Sequence, residues 1–303
     1  MRLNLSFLTT LLLITCSLSF SQKRSSFFSG KKSSKRRKIS KPINYVNNIK
    51  GTFFLGTTKY VGDIAGRTDG LNKSRLSFNL GAQYRFNDRW SFRGDLGHVW
   101  LEGSDQFSEN PERNLSFSTD LYELNAAAVF DILSYNKMYR RRHLITPYAL
   151  IGFGAFHYNP KATLDDGKTY SLRNYQTEGI KYGGISFSGQ LGGGLRVKLS
   201  PHLDLSLEAN YKKTFTDYLD DVSTVYPSDI ASWTDPVRQQ LSSRYTDKSY
   251  DEVAEKQRGN SDKKDGYVLL GFKVDYTLKV TNQRYNITKN KSRFRMHKGI
   301  RKK

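Results

Sequence analysis

The chain contains eight stretches in which apolar and polar residues alternate, a pattern typical of β-strands. Residues 76–86 place Leu, Phe, Leu, Ala, Tyr and Phe at even positions, with Ser, Asn, Gly, Gln and Arg between them. Because successive side chains of a strand point to opposite faces, each stretch has one apolar and one polar face. Residues 203–212 and 268–278 follow the same rule. The pattern predicts strands at 51–62, 74–86, 90–102, 116–132, 145–157, 184–199, 203–215 and 266–280.

Two of these strands carry a further expectation or an open question. Residues 116–132 change the phase of their alternation near Tyr122, which predicts a β-bulge at that point. Residues 146–157 are nearly all apolar or glycine, so the pattern leaves the register of the fifth strand undetermined.

The connections between the strands alternate between short and long. The second and sixth are tight turns at 87–89 and 200–202, the fourth spans 133–144, and the longest spans 217–265. Outer-membrane barrels have short periplasmic turns and long external loops, and an even strand number leaves both termini in the periplasm. A soluble eight-stranded barrel of the lipocalin type has similar hairpins and is the alternative.

The charges on the polar faces favour the membrane barrel, because both signs suit a wet lumen better than a lipid-binding cavity. These residues are Arg85, Arg93, Asp95, Glu208, Lys212 and Asp275. The sequence therefore predicts an all-β fold, an eight-stranded antiparallel transmembrane outer-membrane β-barrel with basic, largely disordered terminal tails. The interior of such a barrel is just wide enough to be filled by side chains, so it is not a wide pore.

The N-terminal residues are typical of a secretory signal peptide, assigned to 1–21. Arg2 precedes an apolar run that is densest at 11–14, and Ser19, Phe20 and Ser21 form a small-x-small cleavage site. Cys16 is the only cysteine, so a lipoprotein is the alternative, although the preceding Thr15 is larger than usual at such a site. Once cleavage removes Cys16 with the signal peptide, the mature chain has no disulfide, thiol nucleophile or zinc-thiolate site.

The net charge of +21 belongs to the two ends of the chain rather than to the barrel. Residues 23–41 hold nine Lys or Arg and residues 279–303 hold ten, and neither segment has an acid. Such segments cannot bury enough surface to fold alone. We therefore predict a basic periplasmic tail at 22–49, the barrel at 50–280 and a second basic periplasmic tail at 281–303.

Tests for catalytic or metal chemistry find no complete motif. None of the five histidines lies within four residues of another. A lipid-modifying barrel enzyme would need His157 with Ser171 or Ser223 at the outer rim, and this is one functional alternative. The three glycines at 192–194 lie inside a strand, which favours packing over phosphate binding.

The acidic residues that follow the seventh strand have two interpretations. Asp217, Asp220 and Asp221 place three carboxylates within five residues, enough to suggest calcium, but they lack the glycine and the further ligand of an EF-type loop. Hydrogen bonds or salt bridges at the rim are the simpler expectation. The basic tails would meet no nucleic acid after secretion, so anionic lipid or an acidic protein surface is the expected partner.

Residues 213–223 read Lys-Thr-Phe-Thr-Asp-Tyr-Leu-Asp-Asp-Val-Ser. This stretch resembles the PorG-like outer-membrane barrels of the Bacteroidota type IX secretion and gliding motility machinery. Its family-motif residues are Thr214, Thr216, Asp217, Tyr218, Asp220 and Asp221. Shorter matching pieces occur in the same order over residues 50–280. They lie at 60–63, 113–117, 146–148, 157–162, 177–179 and 257–260.

The resemblance implies a non-enzymatic outer-membrane component that anchors the periplasmic ring of the type IX machine. From the residues we expect no cofactor, no metal, no nucleic acid and no small-molecule substrate. The expected partners are ring subunits of the machine and outer-membrane lipids. The long basic tails and the basic fourth connection depart from the family pattern. A passive link between the outer membrane and peptidoglycan is a second alternative. The basic candidates for partner binding are Lys35, Arg36, Arg37, Lys38, Arg140, Arg141, Arg142, Arg293 and Arg295.

Overall fold

The computed structural model of the chain describes residues 45–46, 49–64, 74–108, 110–135, 139–278 and 281–282. Within this part, eight antiparallel strands close into a barrel. Each strand pairs with its chain neighbours, and the last pairs with the first, which completes the ring. The strands are β1 (Ile49–Val61), β2 (Arg75–Arg85), β3 (Trp90–Ser104), β4 (Ser116–Asp131), β5 (Ile145–His157), β6 (Ile185–Lys198), β7 (Leu203–Thr214) and β8 (Gly266–Thr277).

The connections give the barrel two different ends. Three connections lie at one end, which we call the turn end: the tight turns 86–89 and 199–202 and the thirteen-residue connection 132–144. The connections 62–74, 105–115, 158–184 and 215–265 lie at the other end, which we call the loop end. The two-residue strand Tyr45–Val46 pairs with Thr281–Asn282, so both ends of the barrel chain leave from the turn end side by side.

The loop end carries short secondary-structure elements of its own. Lys161–Thr163 and Thr169–Ser171 form a small hairpin. Three short helices follow, α1 (Leu172–Tyr175), α2 (Pro236–Ser242) and α3 (Tyr250–Val253). Single 3-10 turns occupy Asp105–Phe107, Pro111–Arg113, Ile230–Ser232 and, at the turn end, Tyr139–Arg141. No helix in the described residues is long and apolar enough to cross a membrane.

All eight predicted strands are present, with ends within three residues of the expected positions. The predicted β-bulge near Tyr122 is wrong, because β4 pairs residue for residue with β3 from Ser116 to Phe130 and with β5 from Tyr122 to Asp131. The phase change has another cause. Phe117 and Leu121 point inward near the loop end, where the interior is apolar, so the polarity of the inner face changes while the register does not.

The register of β5, undetermined from the pattern, is fixed by its neighbours. Ile151 lies opposite Ala128 on β4 and Leu191 on β6. Ile151 and Phe153 consequently point outward, and both are exposed.

The outer wall of the barrel is a continuous apolar band. Outward positions run along β8 from Val268 through Phe272, which is 57% exposed, to Leu278 immediately after the strand. Ten residue steps cover about 33 Å along a strand. At the tilt typical of such barrels, this corresponds to about 25 Å, the height of the apolar band of an outer-membrane barrel.

The inner wall is charged over the turn-end half and the middle of the barrel. Six buried carboxylates each have a Lys or Arg partner within ion-pair distance: Asp95, Glu123, Asp131, Asp204, Glu208 and Asp275. Arg93, for example, donates two hydrogen bonds to Glu208, at 2.8 and 2.9 Å. A soluble barrel would carry the opposite arrangement, an apolar inside and a polar outside. The protein is therefore an integral outer-membrane β-barrel.

Towards the loop end the interior becomes apolar. Leu101, Leu121, Phe156 and Leu269 from the strands form one buried cluster with loop residues such as Leu219. The lumen is thus filled by charge pairs towards the turn end and in the middle, and by an apolar layer towards the loop end. The long loops pack onto this layer.

Candidate functional site

The family-motif stretch crosses the loop end and is anchored there at several points. Thr214 ends β7, and its Oγ1 lies 2.9 Å from the carbonyl oxygen of Asp265. The hydroxyl of Thr216 accepts a hydrogen bond from the backbone N–H of Tyr218 at 3.2 Å. Leu219 and Val222 are completely buried in the apolar cluster. The apolar residues of the motif therefore fix it to the barrel and leave its polar side chains to contact other loops.

The three motif carboxylates bind three different sets of partners. Asp217 accepts a hydrogen bond from the Ser223 hydroxyl at 2.7 Å. Asp220 accepts from the Tyr60 hydroxyl at 2.6 Å and from the backbone N–H of Val222 at 2.9 Å. Asp221, whose φ of 67° lies in the left-handed region, accepts from Tyr182 and Thr177. Over the described ranges, no three His, Cys, Asp or Glu side chains are grouped to hold a metal ion.

A buried arginine joins the motif to the two longest loops. Arg258 donates to Glu178 at 2.9 Å and lies 3.6 Å from a carboxylate oxygen of Asp221. It also donates to the backbone carbonyls of Asp221 and Ser242. Glu178 in turn accepts from the backbone N–H groups of Ser223 and Thr224. Arg258 and its partner Glu178 thus connect the segments 177–179 and 221–224 to Ser242.

A second buried arginine fixes the two shorter loops. Arg113 makes a two-pronged contact with Asp105, at 2.6 and 2.7 Å. It also donates to the carbonyl oxygens of Asp63 and Arg258. The carboxylate of Asp63 accepts from the backbone N–H of Asn260 at 2.5 Å. All four loops therefore meet in one polar layer, which we call the loop-end cap.

Five of the short motif pieces found in the sequence lie in this cap or against it. Pieces 60–63, 113–117, 177–179 and 257–260 supply Tyr60, Arg113, Glu178 and Arg258 to the contacts described above. From piece 157–162, the Tyr158 hydroxyl lies 3.2 Å from that of Thr216. The pieces are far apart in the chain, and the fold gathers them around residues 214–223.

Burial raises the pKa of several carboxyl groups in the cap. The pKa of Asp217 rises to about 6 because the group is partly withdrawn from water. Burial also raises the pKa of Asp221 to about 6, although Arg258 opposes the shift. The pKa values of Asp220 and Asp265 both lie well above the usual range, and burial is the main cause.

The pair formed by Asp220 and Asp265 has a geometric reason to retain a proton. The hydroxyl oxygen of Tyr60 lies within hydrogen-bond distance of both carboxylates. A phenol has one proton to donate, so it can satisfy only one of them. The second contact is favourable when the other carboxyl group is protonated and donates to the tyrosine oxygen. This geometry therefore favours one shared proton for the pair.

At the turn end, the three adjacent arginines of the fourth connection differ in their roles. Arg140 and Arg141 are exposed and make no ion pair with any residue that the structure describes. Arg142 binds Asp204 at 2.9 Å and lies over the ring of Tyr135, which Arg85 contacts as well. The remaining basic candidates, Lys35, Arg36, Arg37, Lys38, Arg293 and Arg295, lie outside the described residues.

The residues considered for catalysis differ in their location and hydrogen-bond partners. His157 lies at the end of β5 on the exposed outer face. The hydroxyl of Ser171 donates to Asn159 at 2.6 Å, and that of Ser223 donates to Asp217. Gly194 of the glycine run faces Tyr148, whose hydroxyl would lie 2.7 Å from an added Cβ. The glycine therefore makes room for that inward tyrosine.

Several residues of the cap and of the interior were not singled out in the sequence. Asp265 and Tyr182 take part in the cap, and Lys50, Glu123, Asp131 and Arg196 take part in the interior charge network. The interior residues carry a detectable signal, because each is a charged residue at an inward position of an alternating strand. Asp265 and Tyr182 lie in or beside loops and carry no such signal.

Comparison with known proteins assigns a family. The model of the family described as "Domain of unknown function (DUF6089)" matches residues 40–232, more than half of the chain. The chain belongs to this family. No curated protein matches the sequence.

The DUF6089 protein is also similar to solved outer-membrane barrels. Neisserial surface protein A is 13% identical, with a TM-score of 0.38 over 76% of this chain and 96% of the other. Ail of Yersinia pestis in a phospholipid nanodisc is 18% identical, with a TM-score of 0.34 over 75% and 99%. The N-terminal barrel domain of Pseudomonas aeruginosa OprF is 9% identical, with a TM-score of 0.35 over 76% and 98%. Likeness at this level transfers no function.

Proposed function

We propose that this DUF6089 protein is a non-enzymatic anchor that holds the periplasmic ring of the type IX secretion machinery at the outer membrane. The loop end faces the outside and the turn end faces the periplasm. The anchoring surface consists of the exposed Arg140 and Arg141 together with the two basic tails. The specific machine follows from the resemblance of residues 213–223 to the PorG-like barrels.

The observation that carries the proposal is that the barrel chain begins and ends at the same end as the exposed Arg140 and Arg141. The pairing of Tyr45–Val46 with Thr281–Asn282 lies at the turn end, where the 132–144 connection also lies. The flanking segments 23–41 and 279–303 add nineteen Lys or Arg and no acid. A single exposed ion pair contributes about 0–1 kcal/mol, so many cations on one side are required to hold an acidic partner.

The filled interior supports a static role. The inner wall is occupied by paired charges and an apolar layer, and the loops over it are tied by Arg113 and Arg258. Such a barrel is a rigid anchor in the membrane. We therefore assign binding of the periplasmic ring to the exposed rim at the turn end and to the two basic tails.

Site-specific crosslinking in intact cells tests the proposal. After removal of the signal peptide the chain has no cysteine, so Arg140→Cys and Arg141→Cys each introduce a single reactive thiol at the turn end. We expect these positions to capture a subunit of the periplasmic ring. The matched control is Lys263→Cys, exposed at the loop end, which should capture none.

Deletion of the gene provides the functional arm of the test. We expect export of type IX cargo to stop, and replacing the tail Lys and Arg with Gln to reduce export in a salt-sensitive manner. Cargo export at the wild-type level in the deletion strain would contradict the proposal. Crosslinks to peptidoglycan alone would favour the passive link instead.

A further inference from the structure

A cavity of about 710 Å³ opens at the loop end, over the ends of β1, β8 and β7. Its volume lies within the range of about 300–1,000 Å³ typical of small-molecule sites. Val61 and Lys213 line it at the strand ends, and the loops supply polar side chains that include Asn110, Tyr245 and Gln257. The cavity therefore has one side on the outer wall and one side among the loops.

The outer-wall side of the cavity lies close to the loop-end margin of the apolar band. Val61 and Lys213 are exposed at outward positions, and both lie opposite Gly266 of β8. An added Cβ at Gly266 would lie 3.0 Å from the hydroxyl oxygen of Tyr211. The glycine thus leaves room for this hydroxyl at the edge of the cavity, and the next outward residue of β8 is Val268. Tyrosine and lysine are typical of the boundary between hydrocarbon and headgroups.

Three exposed lysines line this cavity, and no described carboxylate lies within ion-pair distance of their ammonium groups. Lys213 donates a hydrogen bond to the carbonyl oxygen of Lys264, and Lys264 donates to the carbonyl oxygen of Ser261 at 3.1 Å. Lys263 has no hydrogen-bond partner among the residues that the structure describes. A carbonyl oxygen carries no net charge, so all three positive charges remain uncompensated at contact distance.

The other charged residues of the cavity do not cancel these charges. Arg113 and Arg258 also line it, but each is already bound to its own carboxylate partner. Asp63 is the one carboxylate among the described lining residues, and it accepts a hydrogen bond from the backbone N–H of Asn260. Asp262 is exposed beside Lys263 and is not part of the lining. Three ammonium groups are thus set against one carboxylate, which favours an anionic ligand.

The β3–β4 side of the same rim provides a contrast. There Arg75 pairs with Glu102, and Lys161 lies 3.5 Å from Asp120. Those charges compensate one another and leave no excess for a ligand. The rim over β7 and β8 instead places its lysines around an open cavity.

We infer that this cavity binds the phosphorylated sugar headgroup of a glycolipid of the outer leaflet. The phosphate accepts hydrogen bonds from the three lysines, because an ammonium group is a common phosphate ligand. The amide groups of Asn110 and Gln257 both donate and accept, which suits sugar hydroxyls. The acyl chains follow the outer wall past Val268 and Leu270. The assignment rests on the orientation adopted in the proposed function, with the loop end outside.

Lipid retention tests the inference. The purified mature chain is inserted into phosphatidylethanolamine nanodiscs that contain equal amounts of diphosphorylated lipid A and the same glycolipid without phosphates. Native mass spectrometry then identifies the lipids that remain bound. We expect the phosphorylated form to be retained at least about tenfold over the other, since three weak ion pairs act together. Equal retention would overturn the inference, and it would leave the crosslinking test of the ring anchor unaffected.

Two changes of buffer identify the chemistry of the preference. About 1 M salt, where the Debye length is about 3 Å, should lower the ratio, because the lysines are exposed. Replacing chloride with inorganic phosphate at the same ionic strength should leave the ratio unchanged, because a free ion lacks the sugar and acyl contacts. Loss of the preference in phosphate would assign the cavity to a soluble anion and contradict the lipid assignment.

Two triple variants with the same change of net charge locate the site. The cavity variant replaces the three lysines that line it with Gln: Lys213→Gln, Lys263→Gln and Lys264→Gln. It should retain both glycolipids equally. The control variant replaces three exposed loop-end lysines outside the lining and should keep the original preference: Lys168→Gln, Lys181→Gln and Lys256→Gln. Each variant is first checked for the heat-dependent gel mobility of a folded barrel. An unchanged preference in the folded cavity variant, or an equal loss in both variants, contradicts the assignment.

Discussion

The interior of the barrel and the loop-end cap bury the same kind of group in two different ways. In the interior, every one of the six buried carboxylates has a Lys or Arg partner, as Glu123 has Lys212. In the cap, Asp217, Asp220 and Asp265 are bound by hydroxyl and backbone N–H groups, and no described Lys or Arg lies within ion-pair distance of them. The interior therefore compensates charge with charge. The cap does so only at Asp105, Glu178 and Asp221, which contact Arg113 and Arg258, and it holds its other carboxyl groups by hydrogen bonds while burial raises their pKa.

The difference follows from where each region lies. The membrane-spanning part has no bulk water to solvate a lone charge, so a carboxylate there requires a cation or a proton. The cap lies at the water boundary, where loops are held by hydrogen bonds to acidic side chains. We infer that the barrel is stable over a wide range of pH and that the cap responds to pH.

The largest expected loss of stability comes from removing the cation that pairs with an interior carboxylate. Lys212→Met leaves Glu123 with the Tyr267 hydroxyl and the Asn125 amide as its remaining partners. Breaking a buried ion pair on one side costs about 3–5 kcal/mol. We expect the free energy of unfolding, measured in urea with lipid vesicles at pH 8, to fall by that amount.

The second partner provides the control for this variant. Adding Glu123→Gln to Lys212→Met removes the uncompensated charge, so it should recover most of the lost stability. If the single variant were as stable as the wild type, charge pairing would not be what stabilises the interior.

The next effect is the loss of the shared hydroxyl in the cap. Tyr60→Phe removes the group that lies between Asp220 and Asp265. Leaving buried acceptors unsatisfied costs about 1–3 kcal/mol, and here the cost falls on the cap. We expect faster hydrogen exchange at the backbone N–H groups of Leu219 and Val222, with little change in barrel unfolding.

An exposed tyrosine on the wall serves as the comparison for this change. Tyr84→Phe removes a hydroxyl from the outer face and should leave exchange in the cap unaltered. Equal exchange in the Tyr60 and Tyr84 variants would show that the shared hydroxyl does not hold the cap.

The pH dependence of the cap is the third expectation. Burial raises the pKa of Asp217 and of Asp221 to about 6, and raises the pKa of Asp220 and Asp265 as well. A raised pKa favours the folded cap while the group is protonated. The stabilisation is therefore complete below about pH 4 and is lost as pH rises through 6 and above.

Hydrogen exchange at pH 5 and pH 8, corrected for intrinsic rates, measures this dependence. We expect cap opening to increase by at least about tenfold at the higher pH, equivalent to one unit of pKa shift. Asp265→Asn should reduce the change, and Asp247→Asn, in an exposed part of the same loop, should not. A cap that opens equally at both values would contradict the proton-sharing arrangement.

The smallest effect on stability is expected at the turn end. Arg140→Gln combined with Arg141→Gln changes two exposed side chains and should alter the free energy of unfolding by no more than about 0.5 kcal/mol. Arg142→Gln should cost more, because this residue binds Asp204 and packs on Tyr135. Urea unfolding of the two variants side by side distinguishes the exposed rim from the structural arginine.

Much of the barrel was predictable because strand alternation is a local signal. Polarity at every second residue identified the strands, and the alternation of short and long connections identified the two ends. The error at Tyr122 arose from treating the inner face as polar throughout. Phe117 and Leu121 point inward like Glu123, but they face the apolar layer instead of the charged one.

The cap was not predictable in the same way. The motif pieces were visible in the sequence, yet nothing in them indicates that Tyr60 lies between Asp220 and Asp265, or that Arg258 binds Glu178. These contacts join residues separated by 80 to more than 200 positions, and irregular loops have no repeating geometry from which to infer them.

The sequence by itself determined the strand number, the direction in which side chains face and the segregation of positive charge into the two tails. These properties depend on residue order alone, because a strand turns its side chains over at every step. Only the tertiary structure decided which inward charges pair, where the lumen becomes apolar and how four loops form one cap. Those outcomes depend on closing the ring, which brings residues into contact that no local pattern connects.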